Sequence, residues 1–128
     1  MPRAPADRAR VFVYGSLLSG EANHRELAGA TLVGPAATSP VFTLVDLGPY
    51  PALLRGGVQS VKGELFLVDA GVLARLDAFE GHPELYTRAT ISLADGTSAE
   101  AYLFDRAKAE GCEIIASGDW RARRPVPR

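Results

Sequence analysis

Two short segments joined by a tight turn constrain the fold of this chain more than any other feature. Apolar and polar residues alternate over residues 86–93, and a second strand-like segment covers residues 98–104. Asp95-Gly96 lies between them, and this dipeptide is typical of a β-hairpin turn. The pattern predicts a hairpin, and therefore a domain that contains antiparallel sheet.

Four further segments have the length and residue types of short strands. They cover residues 11–14, 41–47, 52–54 and 61–68. Predicted strands outnumber predicted helices, and hairpin connections outnumber helical crossovers. We therefore expect an α+β domain built around a curved, mainly antiparallel sheet or barrel.

Capping signals predict two helices. Asn23, with a glutamate three residues later, resembles a capping box that opens a short helix over residues 24–28. Asp69 is a favourable N-cap for a longer helix over residues 70–80, and Gly81 is placed to end it.

Length and charge limit the class of protein. The chain has 128 residues and a formal net charge of −1, which suits one domain with little general attraction to nucleic acid or anionic membranes. We expect a mobile arm over residues 1–9, a single domain over 10–120 and a basic tail over 121–128. Apolar runs fall short of the roughly 20 residues of a membrane helix, and the N-terminal residues lack the apolar region of a signal peptide. A cytoplasmic protein, either a monomer or a homodimer, is the expectation.

Cysteine and histidine give no sign of a metal site. Cys112 is the only cysteine in the chain, so it forms no intrachain disulfide, and a reducing compartment is favoured. His24 and His82 lie far apart in the sequence and show no metal-ligand spacing with Cys112. We interpret His24 as part of the first helix and His82 as a surface loop residue.

The second predicted helix carries a carboxylate on its apolar side. Val72, Leu76 and Phe79 form an apolar stripe that Leu73 widens, and Glu80 follows Leu73 by one heptad. A carboxylate on the core-facing side must find a partner, shift its pKa or line a cavity. Burial and the negative end of the helix dipole both raise the pKa of Glu80, which suits a general acid/base. The same position is compatible with a Glu80 that reaches solvent or pairs with Arg88.

A glycine-containing loop directly follows the first predicted strand. The sequence Tyr14-Gly15-Ser16-Leu17 permits a sharp turn whose successive N–H groups can hold a carboxylate or an oxyanion. An ordinary turn would have the same sequence. The phosphate-binding patterns GxGxxG and GxxxxGK[ST] are absent from this segment, as is the GxSxG pattern of a serine nucleophile.

Taken together, three segments of the chain resemble the gamma-glutamyl cyclotransferase-like (AIG2-like) family, which includes gamma-glutamylamine cyclotransferases. They are VFVYGSL with Gly20 and Asn23-His24 after it, VKGELF, and LDAFEG with Tyr86 and Arg88 after it.

This resemblance implies a small mixed, mainly antiparallel β-barrel with flanking short helices, and no cofactor. It also implies that the α-amine of a γ-glutamyl substrate, a small molecule, attacks its own γ-carbonyl to give 5-oxoproline and a free amine or amino acid. The family's catalytic glutamate falls on Glu80, and its substrate-binding loop falls on Tyr14, Gly15, Ser16 and Leu17. A non-catalytic module that binds an amino-acid-like ligand in the same cavity is the alternative, and an interaction protein that uses the basic tail is a third.

Overall fold

The structure, a computed structural model, describes residues 8–123, and β-strands make up most of its regular elements. Its strands are β1 (Ala9–Val13), β2 (Thr31–Ala37), β3 (Phe42–Asp46), β4 (Pro51–Arg55), β5 (Lys62–Val68), β6 (Tyr86–Ser92), β7 (Ser98–Phe104) and β8 (Glu113–Ile114). The helix α1 (Ala70–Glu80) connects β5 to β6, and single 3-10 turns span His24–Leu27, Arg106–Ala109 and Trp120–Ala122. Residues 1–7 of the predicted arm and 124–128 of the predicted tail lie outside the described residues.

The strands form one mixed sheet in the order β2-β5-β1-β7-β4-β3-β8, with β6 paired to β7. The pairs β1–β5, β2–β5, β3–β4, β3–β8 and β6–β7 are antiparallel. β7 runs parallel to both β1 and β4. The sheet curls into a half-barrel, which confirms the predicted class of mixed, mainly antiparallel sheet with short flanking helices.

β1 and β4 share one edge of β7, because β6 occupies the other edge along its whole length. β1 pairs at Glu100, near the start of β7, and β4 pairs at Leu103, near its end. Where β1 ends, the Tyr14 hydroxyl donates to the Tyr102 carbonyl oxygen at 2.6 Å and accepts from the Leu53 N–H at 3.3 Å. The Tyr14 side chain thus connects β7 to β4 at the point where β1 ends.

The helix α1 has the limits and caps that the sequence predicts. The Asp69 carboxylate accepts a hydrogen bond from the Val72 N–H at 2.8 Å, and Gly81 ends the helix in the left-handed conformation with φ 68°. Val72 and Leu76 are buried against the sheet. Phe79 departs from the prediction because it is 39% exposed and faces a cavity rather than the core.

Most predicted strands occur within one or two residues of their expected limits, but β2 and β8 were missed. β2 contains Gly34 and Pro35, which interrupt the alternation typical of a strand. It lies at one end of the sheet, where a proline is tolerated, and a register shift between Leu32 and Gly34 marks a bulge. β8 is only two residues long. Within residues 8–123, no helix combines the length and apolar character needed to cross a bilayer.

Candidate active site

A cavity of about 340 Å³ opens where the end of α1 faces the loop after β1. This volume lies in the lower part of the range of about 300–1,000 Å³ typical of small-molecule sites. Its wall combines polar groups with aromatic and aliphatic side chains: Phe12, Val13, Tyr14, Gly15, Ser16, Leu17, Asn23, Tyr50, Pro51, Phe79, Glu80, Leu85, Tyr86 and Tyr102.

Glu80, the last residue of α1, is the one carboxylate among the described residues that line this cavity. The hydrogen bonds and ion pairs within residues 8–123 leave its carboxylate unused: Arg88, the partner considered from sequence, binds Asp77 and Glu100 instead. Burial raises the pKa of Glu80 from 4.5 to about 7. The group is therefore poised to exchange a proton near neutral pH.

Three tyrosines surround the carboxylate. Burial raises the pKa of Tyr14, Tyr86 and Tyr102, and the negative charge of Glu80 raises each further. All three therefore stay protonated at neutral pH. The Tyr86 hydroxyl donates to the Pro51 carbonyl oxygen at 2.9 Å, so it fixes the start of β4 at the cavity wall.

The loop after β1 lines the cavity and has backbone donors that no described residue uses. No hydrogen bond within residues 8–123 uses the N–H groups of Gly15, Ser16 or Leu17, although the loop carbonyls do accept such bonds. The Leu18 N–H donates to the Gly15 carbonyl at 3.0 Å and the Asn23 N–H to the Ser16 carbonyl at 2.9 Å. The turn is therefore held from its carbonyl side, and its successive N–H groups are available to an anionic oxygen.

Gly15 is required by close packing rather than by an unusual φ. A Cβ atom at this position would lie 2.6 Å from Cγ of Pro51, well inside van der Waals contact. The absent side chain lets the loop lie directly against the start of β4 and so closes this part of the wall.

Asp77 holds the end of α1 against β6 and β7. Its carboxylate accepts from Nε of Arg88 at 2.8 Å and from the hydroxyl of Tyr102 at 2.7 Å. Burial alone raises the pKa of Asp77, but these hydrogen bonds outweigh it and the pKa is lowered. Arg88 also donates to Glu100 at 2.9 Å. This network fixes α1 one turn before Glu80 and orients a tyrosine of the cavity wall.

The first and the last of the three family-like segments meet at this cavity, at Tyr14–Leu17 and at Glu80. The family model described as gamma-glutamyl cyclotransferase, AIG2-like, matches residues 11–122. The chain belongs to this family.

Its relatives within the gamma-glutamyl cyclotransferase family extend over most of the chain. A Vibrio cholerae protein, whose gamma-glutamylcyclotransferase name is provisional, is 45% identical over 88% of this chain and 96% of its own length. Gamma-glutamylaminecyclotransferase A of Danio rerio is 35% identical over 78% of this chain and 70% of its own length. The crystal structure of an AIG2-like protein from Mus musculus has a TM-score of 0.77 at 27% identity, over 94% of this chain and 97% of that one.

Every site residue predicted from the gamma-glutamyl cyclotransferase resemblance lines this one cavity. Tyr14, Gly15, Ser16 and Leu17 form one side and Glu80 another. Their roles in binding and catalysis stay predictions that the geometry alone does not test.

Sequence reasoning misassigned Asn23 near the site and did not foresee a contact of His82. Asn23 was predicted to cap a helix, but its side chain makes no cap hydrogen bond and lines the cavity instead. His82 lies in the turn after α1 and is partly exposed, and its Nδ1 also accepts from the Arg88 N–H at 2.9 Å. The position of Asn23 in the family-like opening segment was a signal for a site role that the helix-capping interpretation obscured.

Proposed function

We propose that this protein converts a γ-glutamyl amide into 5-oxoproline and a free amine or amino acid, with Glu80 as the general acid/base. The observation that carries the proposal is the position of Glu80. Its carboxylate, with a pKa raised to about 7 by burial, shares a cavity with the unused N–H groups of the Gly15–Leu17 turn.

The proton balance requires one group that acts twice. The substrate α-amine is mostly protonated at neutral pH, and the Glu80 carboxylate takes one proton from it. The freed amine nitrogen attacks the γ-carbonyl carbon, which forms the new C–N bond of the ring. Glu80 then returns the proton to the departing nitrogen as the old C–N bond breaks. The extra proton left on the ring nitrogen passes to the released amine, which departs as an ammonium, and the product is neutral at the lactam nitrogen. A pKa near 7 suits both transfers because neither protonation state is strongly favoured.

The loop supports the charge that develops during attack. In the tetrahedral intermediate the γ-carbonyl oxygen becomes an oxyanion, and fixed N–H groups in a partly dry cavity stabilise such a charge. The N–H groups of Gly15, Ser16 and Leu17 are the donors we assign to this role. Ser16 and Asn23 present side-chain polar groups to the same cavity, and we assign them to the charged α-amino acid end of the substrate.

Orientation is the remaining contribution. The glutamyl chain must fold back so that its own amine reaches its own carbonyl, and a close-fitting cavity converts this rare conformer into the bound one. The proposed steps use Glu80, polar side chains and backbone groups, so the proposal includes no cofactor. Action in the cytoplasm and a monomeric or homodimeric state stay predictions from the sequence.

The decisive experiment is 5-oxoproline release from a panel of γ-glutamyl amides and γ-glutamyl amino acids. Glu80→Gln keeps the size of the side chain and removes the proton transfer, so we expect activity to fall by about 10²–10⁴-fold. Glu84→Gln, an exposed carboxylate nearby in the sequence, is the matched control and should retain activity. A fully active Glu80→Gln enzyme, or a panel without any 5-oxoproline, would contradict the proposal.

A further inference from the structure

We infer that the leaving-group part of this cavity selects an apolar amine that carries no carboxylate. The preferred substrate class is then a γ-glutamyl amide of a small alkyl or arylalkyl amine rather than a γ-glutamyl amino acid. This inference rests on the proposed function, because it concerns the half of the substrate that departs.

The rim of the cavity is unusually apolar for an exposed surface. Tyr50, Phe79 and Leu85 are 40%, 39% and 46% exposed, and all three line the cavity. They come from different parts of the fold: the turn before β4, the end of α1 and the turn before β6. Large apolar side chains that converge on one opening indicate a surface that is covered when ligand binds.

The two ends of the substrate have opposite requirements. The γ-glutamyl end carries an ammonium and a carboxylate, which need Glu80 and the polar side chains of Ser16 and Asn23. The departing amine must leave toward solvent, past the exposed rim. The apolar rim therefore faces the leaving group.

A second carboxylate would lack a cationic partner in this cavity. The described residues that line it include no lysine, arginine or histidine. Nearby cations are engaged elsewhere: Arg88 binds Asp77 and Glu100. A leaving amino acid would bring its carboxylate to an apolar rim near the negative charge of Glu80, which disfavours binding.

Lys108 is a nearby cation that could pair with the carboxylate of a leaving amino acid, so its position matters. Its Nζ lies 3.4 Å from the carbonyl oxygen of Glu84, the residue before Leu85. Lys108 itself does not line the cavity. If this lysine reached across the rim, it would favour the carboxylate of a leaving amino acid, contrary to the inference.

A matched pair of substrates tests the inference directly. γ-L-Glutamyl-isopentylamide and γ-L-glutamyl-L-leucine share the same branched alkyl chain and differ by one carboxylate. Dissociation constants are measured by calorimetry with Glu80→Gln, whose amide oxygen can still accept a hydrogen bond from the substrate ammonium, and 5-oxoproline release is measured with the wild-type protein. We expect the amide to bind at least about tenfold more tightly, because the carboxylate of γ-glutamyl-leucine would lose hydration at an apolar rim without a cationic partner, a penalty that Glu80→Gln retains.

The two readouts separate the inference from the proposed function. Tighter binding of the amide without 5-oxoproline from either compound would refute the proposed catalysis and support the apolar selectivity. Equal binding, or tighter binding of γ-glutamyl-leucine, would overturn the selectivity even if 5-oxoproline is released. If neither compound binds Glu80→Gln and neither yields 5-oxoproline with the wild-type protein, both fall.

Variants locate the selectivity on the rim. Leu85→Ala should weaken binding of the isopentylamide about fivefold to tenfold, since the partly exposed leucine loses a contact equivalent to about one to two buried methylenes at about fourfold each. Val58→Ala, at a position that is 87% exposed and outside the cavity wall, is the control and should change neither constant. Lys108→Ala should also leave both unchanged, and a selective loss of γ-glutamyl-leucine binding in that variant would overturn the inference.

Discussion

Glu80 places a carboxylate in a poorly hydrated site, so replacing it by a neutral isostere should make the folded protein more stable at neutral pH. The variant is Glu80→Gln. Its side chain keeps the same length and removes the ionisation, and no protein partner within residues 8–123 is lost, because the carboxylate makes no hydrogen bond or ion pair there. The gain is expected although the same change should lower activity by about 10²–10⁴-fold.

The magnitude follows from the pKa of Glu80. Burial raises it from 4.5 to about 7 in the folded protein, whereas the unfolded chain exposes the carboxyl group and restores its ordinary pKa. Between these values the unfolded chain has released the proton and the folded protein has kept it, so the free energy of unfolding falls as the pH rises. A difference of about 2.5 in pKa corresponds to about 3 kcal/mol. Above about pH 7 both states are ionised, and the full loss persists.

Urea unfolding at pH 4.5, 5.5, 6.5 and 8 measures this effect. We expect wild type and Glu80→Gln to differ little at the lowest pH and by about 3 kcal/mol at the highest. With an m-value of about 2 kcal/mol/M, this difference moves the unfolding midpoint by about 1.5 M urea. Glu84→Gln removes a charge from an exposed position and should lack this growing difference. A gap between wild type and Glu80→Gln that stays constant with pH, or a less stable variant at pH 8, would refute the reasoning.

Three further changes test how the site is held and how it titrates. Gly15→Ala places a Cβ atom 2.6 Å from Cγ of Pro51, so we expect a loss of about 1–3 kcal/mol in urea unfolding together with lower activity; an unchanged midpoint would show that the contact yields freely. Asp77→Asn weakens the bonds to Arg88 and Tyr102, and we expect a loss of about 1–3 kcal/mol and a lower kcat; full activity would argue against a positioning role. In wild type, kcat/KM should fall about tenfold per pH unit below about pH 7 as Glu80 becomes protonated. A profile that is flat from pH 5 to 8 would exclude Glu80 as the general base.

Local signals in the sequence predicted the elements that depend on local interactions. The limits of α1 follow from Asp69 and Gly81, whose capping roles require only neighbouring residues. The inward direction of Glu80 follows from helical phase in the same way. Phe79 shows the limit of this reasoning, because phase indicates which side a residue takes but not whether a core or a cavity lies there.

Long-range contacts were not predictable in the same way. Tyr102 and Asp77 are 25 positions apart in the sequence, and their hydrogen bond exists only because β7 lies beside α1. The edge strand β2 is stabilised by pairing with β5 despite Gly34 and Pro35, so its own residues gave a weak signal. The side chain of Asn23 fitted a cap equally well on local grounds, and only the folded loop turns it to the cavity.

The shared edge of β7 has a consequence for the order in which the chain folds during synthesis. β1 is made first, but its partners β5 and β7 are made much later, and Tyr14 bonds to a residue 88 positions further on. Until those strands emerge from the ribosome, the apolar β1 has no sheet to join. We therefore expect N-terminal fragments that stop before β7 to lack the cavity altogether, to fold poorly and to depend on chaperones.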